Sequence, residues 1–163
     1  MAEIRAEAWS RASTLPWSAI KDRIAELERE CFGQGAFSPN ELHLAFNARR
    51  SVVVLLWEAR GRDSSTLIGY TQAQPGDDPE TYYIANTVIA KRHQGRGLVK
   101  LLMDRLYADV RAAGARYIER DAAIPNGYAD KIVRFHAADV LETLDHDSPY
   151  GPQRFIRMRV PES

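Results

Sequence analysis

The sequence contains one cysteine, Cys31, so no intrachain disulfide can staple the fold, and this suits a reducing compartment. It carries no excess charge of either sign. Its 22 Lys and Arg residues balance 22 Asp and Glu, so no global field draws the chain to nucleic acid or to an anionic membrane, and any basic site must be local. Long apolar runs are missing too: the longest, Val52 to Trp57, has six residues, against the roughly 20 that cross a bilayer as a helix. Charges at Glu3, Arg5 and Glu7 interrupt the stretch that a secretory signal would keep apolar. These absences point to a cytoplasmic protein with no membrane and no nucleic-acid partner. No linker, repeat or low-complexity tract divides the 163 residues, which are expected to form one domain over 1–163. Hydrophobic residues at 45% and charged residues at 27% supply a core and exclude a disordered or fibrous chain.

Periodicity then assigns the elements. Trp17, Ile20, Ile24, Leu27 and Cys31 recur at three- and four-residue steps and predict an amphipathic helix over Pro16 to Cys31, ended by Gly33-Gln34-Gly35. Ser38-Pro39-Asn40-Glu41 opens a second helix, with Ser38 as cap, Pro39 in the first position and Glu41 completing a capping box. Two helices are thus expected before the first long strand. Runs at Ser51–Trp57, Thr66–Gln74 and Thr81–Ile89, separated by turn formers, predict an antiparallel three-strand meander. From Gly97 the period changes: Leu98, Leu101, Leu102, Leu106, Val110 and Ala113 mark one helical face, stopped by Gly114. A strand at Tyr117–Asp121 follows. Strand, helix, strand order requires a crossover, which sets Thr81–Ile89 and Tyr117–Asp121 side by side and parallel. A helix over Tyr128–Ala138 and strands at Val140–His146 and Arg154–Val160 close the chain. The expected fold class is α/β (α+β), with a mixed, mostly antiparallel sheet.

The chemistry is concentrated between Ile89 and Lys100, where Lys91-Arg92-His93-Gln94-Gly95-Arg96-Gly97 joins a strand to a helix. Glycine lacks a Cβ, so a ligand can approach the backbone at Gly95 and Gly97, and the first-turn N–H groups of the helix have no internal acceptor. With the helix dipole and the side chains of Lys91, Arg92, Arg96 and Lys100, they make a receptor for a phosphate or pyrophosphate. A P-loop is excluded, because Leu98 and Val99 follow Gly97 where Lys and Ser or Thr would be required. A Rossmann fingerprint fits poorly, since Lys100 stands where a third glycine should. A plain solvated turn and a nucleotide-binding module remain as alternatives.

The chain resembles the GCN5-related N-acetyltransferases. Their acetyl-CoA motif, Arg/Gln-x-x-Gly-x-Gly/Ala on a strand-to-helix turn, maps onto Gln94-x-x-Gly97-x-Val99: the first two anchors match, and Val99 departs from the small third residue. An Asn-x-x-Ala helix start at Asn126-Gly127-Tyr128-Ala129 and the order of elements extend the likeness over nearly the whole chain. The resemblance implies helices on both faces of the sheet and a splayed parallel strand pair. It implies acetyl-CoA as co-substrate, with its pantetheine on the backbone of Val88, Ile89 and Ala90. The pyrophosphate would lie on Gln94, Gly95, Arg96, Gly97, Leu98 and Val99, with Asn126 on the other side of the cleft. No metal is expected: Asp145-His146-Asp147 alternates faces and His146 lacks a spaced partner.

The reaction so implied is acetyl transfer to a primary amine of a small molecule or a protein. Its tetrahedral oxyanion needs a fixed donor, which the N–H of Val88 or Ile89 can supply. The acceptor ammonium must also lose a proton. Asn86 occupies the position where relatives often carry a carboxylate, and an amide there orients water only. Glu28, Glu30, Glu119 and Asp121 are carboxylates that could serve through water. The family's acid tyrosine aligns with Val133 or Phe135, neither of which has a hydroxyl, so Tyr128 is the nearest phenol. A non-catalytic acyl-CoA-binding module is the alternative. Cys31 reads as a small core residue, His93 as a solvated turn residue, and Tyr82, Tyr83, Trp57 and Tyr150 as packing or acceptor-pocket residues. An exposed terminal hairpin edge could pair two copies as a homodimer.

Overall fold

The computed structural model describes residues 2–162. Its strands are β1 (Glu3–Trp9), β2 (Val52–Ala59), β3 (Ser65–Pro75), β4 (Thr81–Ile89), β5 (Tyr117–Ala123), β6 (Val140–Ser148) and β7 (Gly151–Arg159). The helices are α1 (Trp17–Phe32), α2 (Pro39–Asn47), α3 (Leu98–Ala112) and α4 (Tyr128–Phe135). The seven strands form one sheet in the order β1-β2-β3-β4-β5-β7-β6, antiparallel throughout except for β4 beside β5. The mixed, mostly antiparallel α/β class expected from the sequence is the one observed.

Two cores flank the sheet. On one face α1 and α2 bury Ile20, Ile24, Leu27, Leu42 and Phe46 against Val53, Leu55, Tyr70 and Val88. On the other, α3 buries Leu102, Leu106 and Val110 against Val54, Leu56, Ile68 and Ile118, and α4 sets Ala129 and Ile132 on Ala122 and Ile156. The capping box at Ser38 is present, with the Glu41 N–H donating to Ser38 Oγ (3.2 Å) and the Ser38 N–H donating to Glu41 Oε1 (3.1 Å).

The structure corrects the element list in three places. A strand, β1, precedes α1 and extends the expected meander to four strands, pairing antiparallel with β2 from Glu3↔Ala59 to Trp9↔Val53. Its alternation is real but shallow: Ile4 and Ala6 pack under α3, Trp9 enters the opposite core, and Glu3 and Glu7 stay exposed. The buried stripe of α3 runs through Leu98, Leu102, Met103, Leu106, Tyr107 and Val110, while Leu101 is 41% exposed and Ala113 is exposed. Helix α4 stops at Phe135, three residues short of Ala138, because the chain turns there to feed β6.

Two irregularities shape the middle of the sheet. Opposite Gln72 and Ala73 of β3, strand β4 places Asn86 and Ile84, so Ala85 is an extra, unpaired residue and the strand bends. Gly69 of β3 faces Ile89, and a Cβ there would stand 2.6 Å from the Val88 carbonyl oxygen. Gly69→Ala must therefore push two paired backbones apart. The expected cost is about 1–3 kcal/mol, read as a lowered midpoint in calorimetric unfolding; an unchanged midpoint would contradict the close approach.

Candidate active site

Strands β4 and β5 pair for three rungs only, Thr81, Tyr82 and Tyr83 against Tyr117, Ile118 and Glu119, and then part. Each remains bound to its other neighbour, β4 to β3 and β5 to β7, so the gap between them exposes main chain on the facing edges. The Ala90 N–H donates to the Ile68 carbonyl at 2.8 Å, which fixes the parity of the β3–β4 ladder. Val88 and Ala90 thus turn their main-chain groups to β3, and Thr87 and Ile89 turn theirs to the opening. The Ile89 carbonyl accepts from Gln94 Nε2 (2.9 Å) and from the Cys31 thiol (3.2 Å), which leaves the Ile89 N–H as the donor facing the gap. Burial pushes the Cys31 thiol up, and the Glu30 and Glu28 charges push it further, so it stays a thiol rather than a nucleophilic thiolate.

The gap leads to the glycine turn. Gly95 and Gly97 adopt φ of 79° and 74°, the left-handed region, and nothing lies within 4 Å of where a Cβ would stand on either. Gly97 caps α3 without any side-chain hydrogen bond, and the first turn of α3 contains no acidic residue. Among the described residues no acceptor meets the N–H groups of Gly95 to Val99. Unpaired amides below open space fit a diphosphate. Arg92 and Arg96 are exposed beside them, while Lys100 is held by Asp104 (2.6 Å), and the Lys91 N–H is held by Glu30 (2.7 Å). His93 is not solvated as expected. It is 4% exposed, with Nε2 at 3.1 Å from the buried Glu58 of β2, and this pair pins the turn to the sheet. The hydrogen bond to His93 holds the Glu58 carboxyl below the usual carboxylate range.

On the α1–α2 face a second polar group lies under the gap. Glu28, 1% exposed, accepts from the Tyr70 hydroxyl, from Asn86 Nδ2 (2.5 Å) and from the Phe37 N–H (3.0 Å). Asn86 thus spends its amide on Glu28, and burial together with the Glu28 charge drives the Tyr70 hydroxyl far above its ordinary value. Beside this group a cavity of about 530 Å³ is walled by Phe37, Leu42, Leu44 and Phe46 and floored by Gln72, Tyr83, Ala85 and Asn86. Tyr150, on the β6–β7 turn, is exposed and lies 3.2 Å from where a Gly35 Cβ would stand. Tyr82 is core, with its hydroxyl on the Arg50 carbonyl, and Trp57 packs against the α1–α2 core.

The remaining site residues lie on the α3–α4 face. Asn126 is exposed and its Oδ1 accepts from the Tyr128 N–H (3.0 Å), which starts α4. Tyr128 is half-buried against the Ala122, Ala129, Ile132 and Ile156 cluster. Tyr128 and Asn86 therefore stand on opposite faces of the sheet, with the gap between them. Val133 packs into the same cluster as Tyr128, and Phe135 is 71% exposed. Sequence reasoning missed Tyr70 and Gln72, because both are read as ordinary strand residues, and it missed the joining of Tyr83, Asp121 and His146 from three strands. Alternation along β6 was the one available signal for His146.

Residues 21–136 match the model of the acetyltransferase (GNAT) family, and the chain belongs to that family. Its fold is similar to that of aminoglycoside 6'-acetyltransferase type Ii, at 15% identity and TM-score 0.72, covering 97% of this chain and 98% of that one. It is similar to the ribosomal-protein-S18-alanine N-acetyltransferase of Escherichia coli, at 12% identity and TM-score 0.69, covering 100% and 96%. A third neighbour is an aminoglycoside 6'-N-acetyltransferase complexed with coenzyme A, at 14% identity and TM-score 0.67, covering 97% and 98%. Comparison with curated proteins gives no match. Among the described residues no helix is long and apolar enough to cross a membrane.

The Glu28 group makes a prediction. Glu28→Gln replaces an acceptor-only group by one that turns an N–H toward a donor, so the variant should lose about 1–3 kcal/mol in chemical denaturation. Unchanged stability would show that Tyr70 and Asn86 do not depend on the carboxylate.

Proposed function

We propose that the protein transfers an acetyl group from acetyl-CoA directly to a primary amine. The observation that carries the reading is the continuity of the unpaired edge of β4 with the unpaired first-turn amides of α3. One feature suits an extended amide-bearing arm, and the other suits a diphosphate; coenzyme A has both in that order. When bound, acetyl-CoA supplies the thioester. The chain's part is to hold it: the amides of Gly95 to Val99 bind the diphosphate, and the backbone around Ile89 binds the arm. The Ile89 N–H faces the opening as a preorganised donor for the carbonyl oxygen, where negative charge develops in the transition state. Asn126 and Tyr128 flank the arm from α4, and Tyr128 offers a proton toward the sulfur. Asn86, held on Glu28, fixes the floor where the amine arrives rather than taking its proton.

The amine enters from the α1–α2 face. The neighbours include aminoglycoside 6'-acetyltransferases and a ribosomal-protein-S18-alanine N-acetyltransferase of E. coli. The cavity here is walled by Phe37, Leu42, Leu44 and Phe46, with Glu41 its only carboxylate. Such a lining favours one amine on an apolar body over a polycation, which would select several carboxylates. An acyl-CoA-binding module without turnover is the rival reading, supported by Asn86 in place of a carboxylate and by the missing hydroxyls at Val133 and Phe135.

Two measurements test this. Calorimetric titration with coenzyme A should give saturable binding, weakened at least about tenfold by Gly97→Glu, which adds negative charge at a helix N-terminus. Gly97→Asn, which tolerates the left-handed backbone, should bind nearly as the parent does; no uptake by the folded parent protein would end both readings. Thiol release from acetyl-CoA across a panel of 2-phenylethylamine, an aminoglycoside and a peptide with a free α-amino group should favour the first. Tyr128→Phe should lower kcat by about tenfold or more with coenzyme A affinity intact. Binding without release for any amine would favour the module.

A further inference from the structure

One carboxylate at the strand split is left unused by this reading. Asp121 lies two residues beyond Glu119, about 7 Å past the last rung that β5 shares with β4. Its Oδ2 accepts from the Tyr83 hydroxyl at 2.6 Å, across the parting strands, and its Oδ1 is 2.7 Å from His146 Nε2, which reaches over β7 from β6. Tyr83 floors the amine-side cavity, so the three side chains sit on the face from which the acceptor arrives.

Stability does not explain the His146–Asp121 pair. The two side chains are 36% and 24% exposed, and solvent screens such a pair so that it adds little to stability. The geometry suits proton transfer instead. An ionised carboxylate only accepts, so the imidazole proton shared with Asp121 sits on Nε2, and Nδ1 carries the lone pair when the ring is neutral. Once Nδ1 is protonated it has an acceptor of its own, the Asp147 carbonyl oxygen at 3.3 Å. The protonated ring is therefore met at both nitrogens, and its exposed edge opens a path for protons to water.

We propose that His146 is the general base of the reaction, with Asp121 as its orienting carboxylate and Tyr83 fixing Asp121; this rests on the acetyl-transfer reading. The acceptor ammonium gives one proton to His146 Nδ1, directly or through one water. The free amine then attacks the thioester carbon, the C–N bond forms, the C–S bond breaks, Tyr128 protonates the departing thiolate, and the second nitrogen proton restores the Tyr128 hydroxyl. His146 returns its proton to solvent, so the sum is acetyl amide, thiol and one released proton.

The charges around the ring set its pH range. Asp145 and Asp147 are its neighbours on β6, Asp121 faces it from β5, Glu119 lies two residues back on β5, and Tyr83 reaches Asp121 from β4. The two nearby cations of β7 are already paired, Arg157 with Glu119 (2.8 Å) and Arg154 with Asp145 (2.6 Å). The Asp121 hydrogen bond, then the Asp147 carbonyl, hold the imidazole above its ordinary value. A base must be unprotonated to act, so activity should fall as pH drops through this raised value.

The test is kcat/KM against pH with acetyl-CoA and 2-phenylethylamine, beside an NMR titration of the His146 ring in the free protein. The parent's acid limb should coincide with the ring titration. His146→Gln should lose that limb and about 10²-fold of activity at neutral pH, with coenzyme A affinity and unfolding midpoint unchanged. Asp121→Asn should keep the limb but move it to lower pH, an outcome that a merely structural role does not produce. His146→Gln with the limb intact and activity within about threefold of the parent would overturn the base while leaving acetyl transfer standing. A parent that binds coenzyme A yet releases no thiol with any amine would overturn acetyl transfer, and the base with it.

Discussion

A backbone N–H without a partner costs about as much as a lost hydrogen bond unless water or a ligand takes it, and this protein holds a row of them open at the split between β4 and β5. The split is built in. Ala85, the extra residue of the β4 bulge, comes two residues after the last shared rung at Tyr83 and re-aims the strand. Because β4 stays tied to β3, and β5 to β7, neither strand can swing back to close the gap. The open edge is thus a consequence of pairing elsewhere, and the anion cradle, the amine-side cavity and the Asp121 position are all measured from it.

The elements around the split are held by buried polar contacts rather than by apolar packing alone. Glu28 ties α1 to Tyr70 of β3, to Asn86 of β4 and to the chain entering α2. Glu58 ties the glycine turn to β2 through the buried His93, and at the surface Glu30 ties it to α1 through the Lys91 N–H. A buried carboxylate is costly unless its lone pairs are met, and three donors meet those of Glu28. Such groups are directional, so they fix the positions of β4 and the turn more sharply than Leu or Ile contacts would.

The two faces of the sheet carry different groups. The α3–α4 face carries the cradle, Asn126 and Tyr128, and the α1–α2 face carries the cavity, Asn86 and the Tyr83–Asp121–His146 group. The split is the passage between them.

How much of this was legible depended on whether the signal was local. The period of α1, the capping box at Ser38, the turn residues of the meander and the glycine turn before α3 are statements about neighbours in the chain and are realised where the residues predicted them; α3 forms where predicted, but its buried stripe leaves out Leu101 and Ala113. β1 was missed because small alanines at Ala6 and Ala8 give a weak alternation that only pairing with β2 makes a strand. His93 was misjudged because its partner, Glu58, lies 35 residues away. Amino-acid order alone determined the elements after β1, their succession and the glycine turn before α3, since these follow from periodicity and from glycine's freedom at positive φ. Only the tertiary structure decided where β4 and β5 part, which carboxylates are buried and which meet a histidine, because these depend on strands brought together from distant parts of the chain.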